Sequence, residues 1–276
     1  MELKIKNINT TTSSDGSQYG KFVIEPLERG YGATIGNALR RVLLSSLEGA
    51  AVTSVRIEGI THEYTSIPGV VEDVIDIMLN LKSVVVKTDA YEPQHLRLDA
   101  TTPGPVLAGD IELPAGVKIV NPDCVICTLS EGGSIHADIA VEVGKGYVTT
   151  DVLKEQKNGL PIDLLPIDAV FMPVKRVSYN VEPARVGESL DFDKLTLEIW
   201  SNGSIEVGAA LSKASNLLIE HFSQIAGITG VVPQVKLEVV EVAEVEEAPA
   251  PTLSIEDLEL SVRAYNCLKR ASINSM

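Results

Sequence analysis

Short runs in which apolar and polar side chains alternate recur along the chain: "KFVIEP" (21–26), "AVTSVRIEG" (51–59), "SVVVKT" (83–88), "HLRLDA" (95–100), "CVICTL" (124–129), "IHADIAVEV" (135–143), "KRVSYNVE" (175–182) and "KLTLEIW" (194–200). Alternation with a period of two is the pattern of half-buried antiparallel strands. Between 88 and 171 these runs are short and punctuated by "PGP", "PAG", "EGG" and "GKG", which predicts a β-rich middle with no long helix. Three stretches carry the helical period instead, and they lie outside that middle or at its entrance. The first runs from about Thr34 to Leu47, with Gly49 as its expected left-handed stop. The second follows "SIPG" and covers about Val70 to Leu81; the third follows "SNG" and covers about Glu206 to Ile225. No fixed-period repeat is present.

At about 100° per residue the first helix has two dissimilar faces. Ile35, Ala38, Leu39, Val42, Leu43 and Ser46 fall on one, while Asn37, Arg40, Arg41 and Leu44 fall on the other. A solvated face usually mixes acids with bases, whereas this one holds an aliphatic residue, two arginines and no acid. Surface arginines beside a stray leucine are one account; a helix with one face in a core and the other against a partner is the second, since arginine and apolar anchors are favoured at interfaces. In the third helix Val207, Ala210, Leu211, Ala214, Leu218, His221 and Ile225 form one stripe. If the two stripes exceed what a small sheet covers, a second copy of the protein must bury the rest, most simply across a two-fold axis. Burial within one copy is the alternative.

The first helix is entered through "ERGYGATIG", so Gly30, Gly32 and Gly36 make a G-x-G-x-x-x-G spacing after a strand, with Glu58 about twenty residues on. That is close to a dinucleotide-binding fingerprint, and a nucleotide-dependent oxidoreductase is the rival from another functional class. Against it, Pro26 and "LER" intervene between strand and first glycine, and the later strands alternate, where a doubly wound parallel sheet would show continuous apolar runs.

Composition narrows the choice further. The 276 residues carry 23 Lys+Arg against 38 Asp+Glu, a formal charge of −15, which opposes non-specific attraction to nucleic acid or to an anionic membrane. Any nucleic-acid contact is therefore expected to be local. "MELKIKNINT" has no apolar core, so neither a secretory signal nor a membrane anchor is expected. Cys124, Cys127 and Cys267 do not make a disulfide framework and fit a reducing compartment. The C-x-x-C of "CVIC" has no second pair and no histidine at ligand spacing, and on an alternating strand its thiols point to opposite faces, so packing is favoured over zinc. His62, His95, His136 and His221 stand singly. Neither a nucleophile–histidine–acid order, a catalytic carboxylate pair nor an Asp-rich magnesium motif can be discerned. From Val231 the character changes: "VVEVAEVEEAPAP" (239–251) reads as a solvated acidic linker, and "LSIEDLELSVRAYNCLKRASINSM" as the opening helix of another domain.

"IEPLERGYGATIGNALRRVLLSSLEGAAVTSVRIEGITHEY", "PGVVEDVIDIMLNLK" (68–82), "GKGYV" (144–148), "PIDAVFMPVKRVSYNVEPARVG" (166–187), "DKLTLEIWSNGSI" (193–205) and "DLELSVRAYNCLKRA" (257–271) together resemble the alpha subunits of bacterial-type RNA polymerase, in order over nearly the whole chain. The resemblance implies an α+β fold: a helix-plus-antiparallel-sheet dimerisation subdomain at 1–48 and 172–230, a β-rich insert subdomain at 49–171, a flexible acidic linker at 231–253, and at 254–276 a fragment of a carboxy-terminal DNA-binding domain. It implies a homodimeric assembly scaffold for the beta and beta-prime catalytic subunits, in a bacterial cytoplasm or a plastid stroma. Carried over residue by residue, the beta-subunit interface falls on Arg40, Arg41 and Leu44, and the beta-prime interface on Lys82, Ile167 and Val174. The dimer interface falls on Ile35, Leu39, Val42, Leu43, Leu211, Ala214, Leu218 and Ile225. DNA contacts would fall on Arg263, Asn266 and Lys269, spaced by three on one helical face, and promoter DNA or activators are expected as partners only with a complete carboxy-terminal domain. This subunit itself would hold no metal or other cofactor, the catalytic magnesium residing in the beta-prime subunit. Besides the oxidoreductase, a standalone β-rich binding module remains as a rival, distinguished by whether the protein sediments as a dimer.

Overall fold

The computed structural model describes residues 3–88, 90–156, 161, 163–186 and 189–227. The linker, the carboxy-terminal segment, Cys267 and the DNA-contact candidates Arg263, Asn266 and Lys269 lie outside the described residues. In sequence order the elements are β1 (Lys4–Thr12), β2 (Gln18–Glu28), α1 (Tyr31–Ser45), β3 (Glu48–Ile57), α2 (Val74–Ser83), β4 (Val86–Thr88), β5 (Gln94–Ala100), β6 (Gly104–Leu107), β7 (Val117–Ile119), β8 (Val125–Leu129), β9 (Ile135–Lys145), β10 (Tyr147–Val148), α3 (Thr150–Gln156), β11 (Leu165–Pro166), β12 (Ala169–Val170), β13 (Val174–Val186), β14 (Ser189–Ser201) and α4 (Val207–Ala226).

Two four-stranded antiparallel sheets organise the protein. The first has strand order β1-β2-β14-β13, so it joins the two sequence ends of the described region. Along β14 the alternation seen in the sequence becomes alternation in space: Leu195, Leu197 and Ile199 are fully buried, and the residues between them are not. α1 and α4 lie on the buried face and touch each other, closing a core of Phe22, Leu39, Leu43, Val174, Leu197, Ile199, Val207 and Ala210. Each fully buried leucine there contributes about 1.5–3 kcal/mol of transfer free energy. The second sheet has order β11-β3-β9-β5 and packs with α2 and the two-stranded ribbons β4-β7 and β6-β8 around Val55, Ile77, Leu81, Leu98, Ile126 and Ile139. A third ribbon, β10-β12, lies beside β3.

Several boundaries differ from the sequence expectation. α1 starts at Tyr31 rather than about Thr34, and it ends on Ser46 in a right-handed conformation. Gly49 is therefore not the helix stop; it belongs to β3, where a Cβ would collide with the Phe171 carbonyl oxygen, so the glycine is needed for close backbone approach. α2 begins at Val74, because the preceding turn is pinned by the Glu72 carboxylate, which accepts hydrogen bonds from the Thr128 amide and hydroxyl at 2.6 and 2.9 Å. The strand expected at 83–88 shrinks to Val86–Thr88, since Ser83 closes α2. β1 and α3 have no counterpart in the sequence expectation. β1 is almost wholly exposed and draws its order from the ladder to β2, with Lys4 and Lys6 on this edge strand.

Candidate functional site

The glycines at the start of α1 serve packing. Gly32 and Gly36, one turn apart, face the first sheet: a Cβ on Gly36 would lie 2.7 Å from Tyr179 Cδ2 and 2.9 Å from Leu195 Cδ1, and one on Gly32 2.8 Å from Val181 Cγ1. Their bare backbone lets the helix sit directly on β13 and β14. Gly30, at φ 91°, turns the backbone from β2 into the helix. Its N–H and that of Gly32 both donate to Asp193 Oδ2, at 2.8 and 3.2 Å. These are the unpaired amides a phosphate would use, and a carboxylate from β14 already occupies them. Moreover β2 and β3, which a dinucleotide fold would place side by side and parallel, lie in different antiparallel sheets. The nucleotide alternative is thereby removed.

The rest of α1 divides into an inward and an outward side. Gly32, Gly36, Leu39 and Leu43 are buried, Ile35, Ala38 and Val42 are half-buried, and Asn37, Arg40 and Arg41 are exposed. Leu44, placed on the outer face by periodicity, is half-buried and packs at the margin of the first core. α1 contains no acidic residue, and neither guanidinium has an ion-pair or hydrogen-bond partner among the described residues. Two cations and a leucine edge thus stand on a helix held from behind by the sheet.

The second group of candidates separates in space. Lys82, on the last turn of α2, pairs with Asp168 Oδ2 at 3.3 Å and lies 5.4 Å from the centre of the Tyr147 ring. The Tyr147 hydroxyl donates to Asp168 Oδ2 at 2.8 Å and the Thr150 N–H to Oδ1 at 2.9 Å. These donors, led by Tyr147, hold the Asp168 carboxyl below its ordinary pKa, and the same contact raises that of Tyr147. Lys82, Ile167 and Asp168 line a groove of about 260 Å³ with Tyr64, Ile75 and Leu79, whose side chains are exposed. Ile167 is 3% exposed and belongs largely to the second core. Val174 is not at this groove: it is buried under α1 and α4 in the first core.

α4 is likewise divided along its length. Val207, Ala210, Leu211 and Ala214 are buried against the protein's own sheet, together with Leu39 and Leu43 of α1. These side chains already have their contacts within one copy, and Leu43 and Ala214 have no exposed surface left. Beyond Ala214 the helix emerges: Leu217 and Leu218 are half-buried, and Phe222 and Ile225 are each 61% exposed. Ile35, Val42, Leu218 and Ile225 therefore keep apolar surface, whereas Leu39, Leu43, Leu211 and Ala214 support it from beneath.

Residues 55–172 match the family described as "RNA polymerase Rpb3/RpoA insert domain", and residues 241–276 match the family of C-terminal domains of the bacterial RNA polymerase alpha subunit. A protein of Desulforamulus reducens is 49% identical over 276 residues, covering all of this sequence and 87% of the relative; one of Desulfitobacterium hafniense matches to the same extent. One of Moorella thermoacetica is 51% identical over 259 residues, 94% of this sequence and 82% of its own length. All three bear the name DNA-directed RNA polymerase subunit alpha. The protein belongs to the family of bacterial RNA polymerase alpha subunits. Its relatives are components of a nucleotidyltransferase assembly, and its α+β, antiparallel architecture is the one the resemblance implied.

Among the described residues no group of three or more His, Cys, Asp or Glu could hold a metal ion. No described helix is long and apolar enough to cross a membrane. Cys127 is buried in the second core and its thiol pKa is pushed up to about 11 by burial, while Cys124 sits beside Ser83. Three residues at these faces are not singled out by the sequence. Asp193 and Asp168 are ordinary acids in alternating or loop sequence, and only distant segments bring amides and a lysine to them. Phe222 lies outside the apolar stripe of the third helix, although an exposed aromatic near its end is a usable signal.

Proposed function

We propose that this alpha-family protein is a non-catalytic, homodimeric assembly subunit of DNA-dependent RNA polymerase, presenting the outer face of α1 to the beta subunit and the Lys82 groove to the beta-prime subunit. The observation that carries the proposal is the pair Arg40 and Arg41, exposed and without an acidic partner among the described residues, on the outer side of a helix whose inner side is seated in a core. Guanidinium groups of this kind pair with carboxylates or carbonyls of a neighbouring protein, and Leu44 supplies an apolar edge beside them. The distal half of α4, with Phe222 and Ile225 uncovered, supports association with a second copy. The polymerising reaction and its magnesium are assigned to the beta-prime subunit. Promoter contact is assigned to a complete carboxy-terminal domain, through Arg263, Asn266 and Lys269. The test is Arg41→Ala in the full-length protein: a folded dimer that no longer captures the beta subunit in a pull-down is expected, and undiminished capture would overturn the proposal.

A further inference from the structure

We infer that Asp168 is a positioning residue for beta-prime docking, acting through Lys82; the inference rests on the groove reading just given. Asp168 lies between β11 and β12, and its neighbour Ile167 is tied to β3 by an N–H donated to the Thr53 carbonyl at 2.8 Å. Two short-range donors then fix the carboxylate: the Thr150 amide at the start of α3, at 2.9 Å on Oδ1, and the Tyr147 hydroxyl from β10, at 2.8 Å on Oδ2. With its oxygens aimed in this way, the carboxylate accepts Lys82 Nζ at 3.3 Å while the Tyr147 ring lies beside the ammonium at 5.4 Å. Three segments, α2, β10 and α3, converge on one anion. The Thr150 amide belongs to the backbone and the Tyr147 phenol to a side chain with two rotatable bonds, whereas lysine is a flexible four-carbon stem.

A free lysine at a docking rim would have to be ordered when the partner arrives. Here the ordering is completed beforehand, and the ammonium still has donors to offer, since it has three N–H groups and a side chain 29% exposed. Pre-ordering one rotamer-rich side chain is worth about a three- to tenfold change in affinity. The Asp168 carboxylate, by contrast, has its oxygens engaged from within its own subunit and is not offered to the partner.

A double-mutant cycle with the full-length protein, preassembled with the beta subunit and titrated with purified beta-prime, tests this. Lys82→Ala and Asp168→Asn should each weaken beta-prime capture, the latter by about three- to tenfold, and the double variant should be no weaker than Lys82→Ala alone. Tyr147→Phe, which keeps the ring and loses one hydrogen bond, should give a smaller loss that also vanishes in the Lys82→Ala background, and it serves if Asp168→Asn does not fold. Additive losses would overturn the positioning role. Wild-type capture by Asp168→Asn alongside loss in Lys82→Ala would overturn it while leaving the docking face intact. Unchanged capture by Lys82→Ala would overturn the groove reading, and this inference with it.

Discussion

Replacing Asp193 by alanine removes the side chain that accepts the amides at the start of α1. The Asp193 carboxylate accepts two backbone N–H bonds there, from Gly30 at 2.8 Å and Gly32 at 3.2 Å, across a separation of more than 160 residues. Loss of an N-terminal cap costs about 0.5–2 kcal/mol, and removal of the negative charge from the positive end of the helix dipole about 0.3–1 kcal/mol. The two overlap, so about 1–2 kcal/mol is expected in total. For a folded unit of this size each kcal/mol moves the melting temperature by about 2–4 °C, which places the shift at about 2–8 °C. Asp193→Asn keeps an acceptor and should lose about half as much. Circular dichroism melts of the three proteins in low salt would measure this. Phosphate offers a second readout, because it should recover part of the loss only where the amides have been vacated. Arg40 lies ten residues along the helix from Gly30, about 15 Å, so capture of the beta subunit should fall less than stability does. If Asp193→Ala melts with the wild type, the capping account of α1 is wrong.

Other expectations follow from the same geometry. Gly36→Ala gains about 1 kcal/mol of helix propensity but forces a methyl against Tyr179 and Leu195 at a cost of about 1–3 kcal/mol, so a net loss of about 1 kcal/mol is expected by urea denaturation. A more stable variant would show that the helix lies less tightly on the sheet than the contacts indicate. Ile225→Glu, or Phe222→Lys, should convert a dimer to monomer in analytical ultracentrifugation; an unchanged sedimentation coefficient would place the second copy elsewhere. Cys127, buried and with its thiol raised to about 11, should resist iodoacetamide at pH 8 until the protein unfolds, as read by mass spectrometry, and rapid native labelling would contradict its burial.

Much of the architecture is legible from periodicity alone. Alternation locates β2, β3, β5, β8, β9, β13 and β14, and the helical period locates α1, α2 and α4, because these segments each bury one face and the face leaves its trace in the sequence. β1 is hidden since it buries almost nothing, and α3 since seven residues are too few for a period to show. The two-sided character of α1 is also legible, down to Arg40 and Arg41 on the exposed side; Leu44 is not, because a leucine at the boundary between faces is assigned only by what packs beside it.

The sequence by itself determined which side chains must be buried, which helix carries uncompensated arginines, and which family the protein resembles, all of them properties written in local order and residue type. Only the tertiary structure decided that the glycines of "ERGYGATIG" serve packing and not phosphate, since that depends on Asp193 arriving from a strand more than 160 residues away. It also decided that Lys82 is pre-ordered by Asp168 and Tyr147, and that Val174 lies in a different core from Ile167 and away from the groove that Lys82 lines. Hydrogen bonds and excluded volume act over a few ångströms of space, and the distance between their partners along the sequence leaves no local signature.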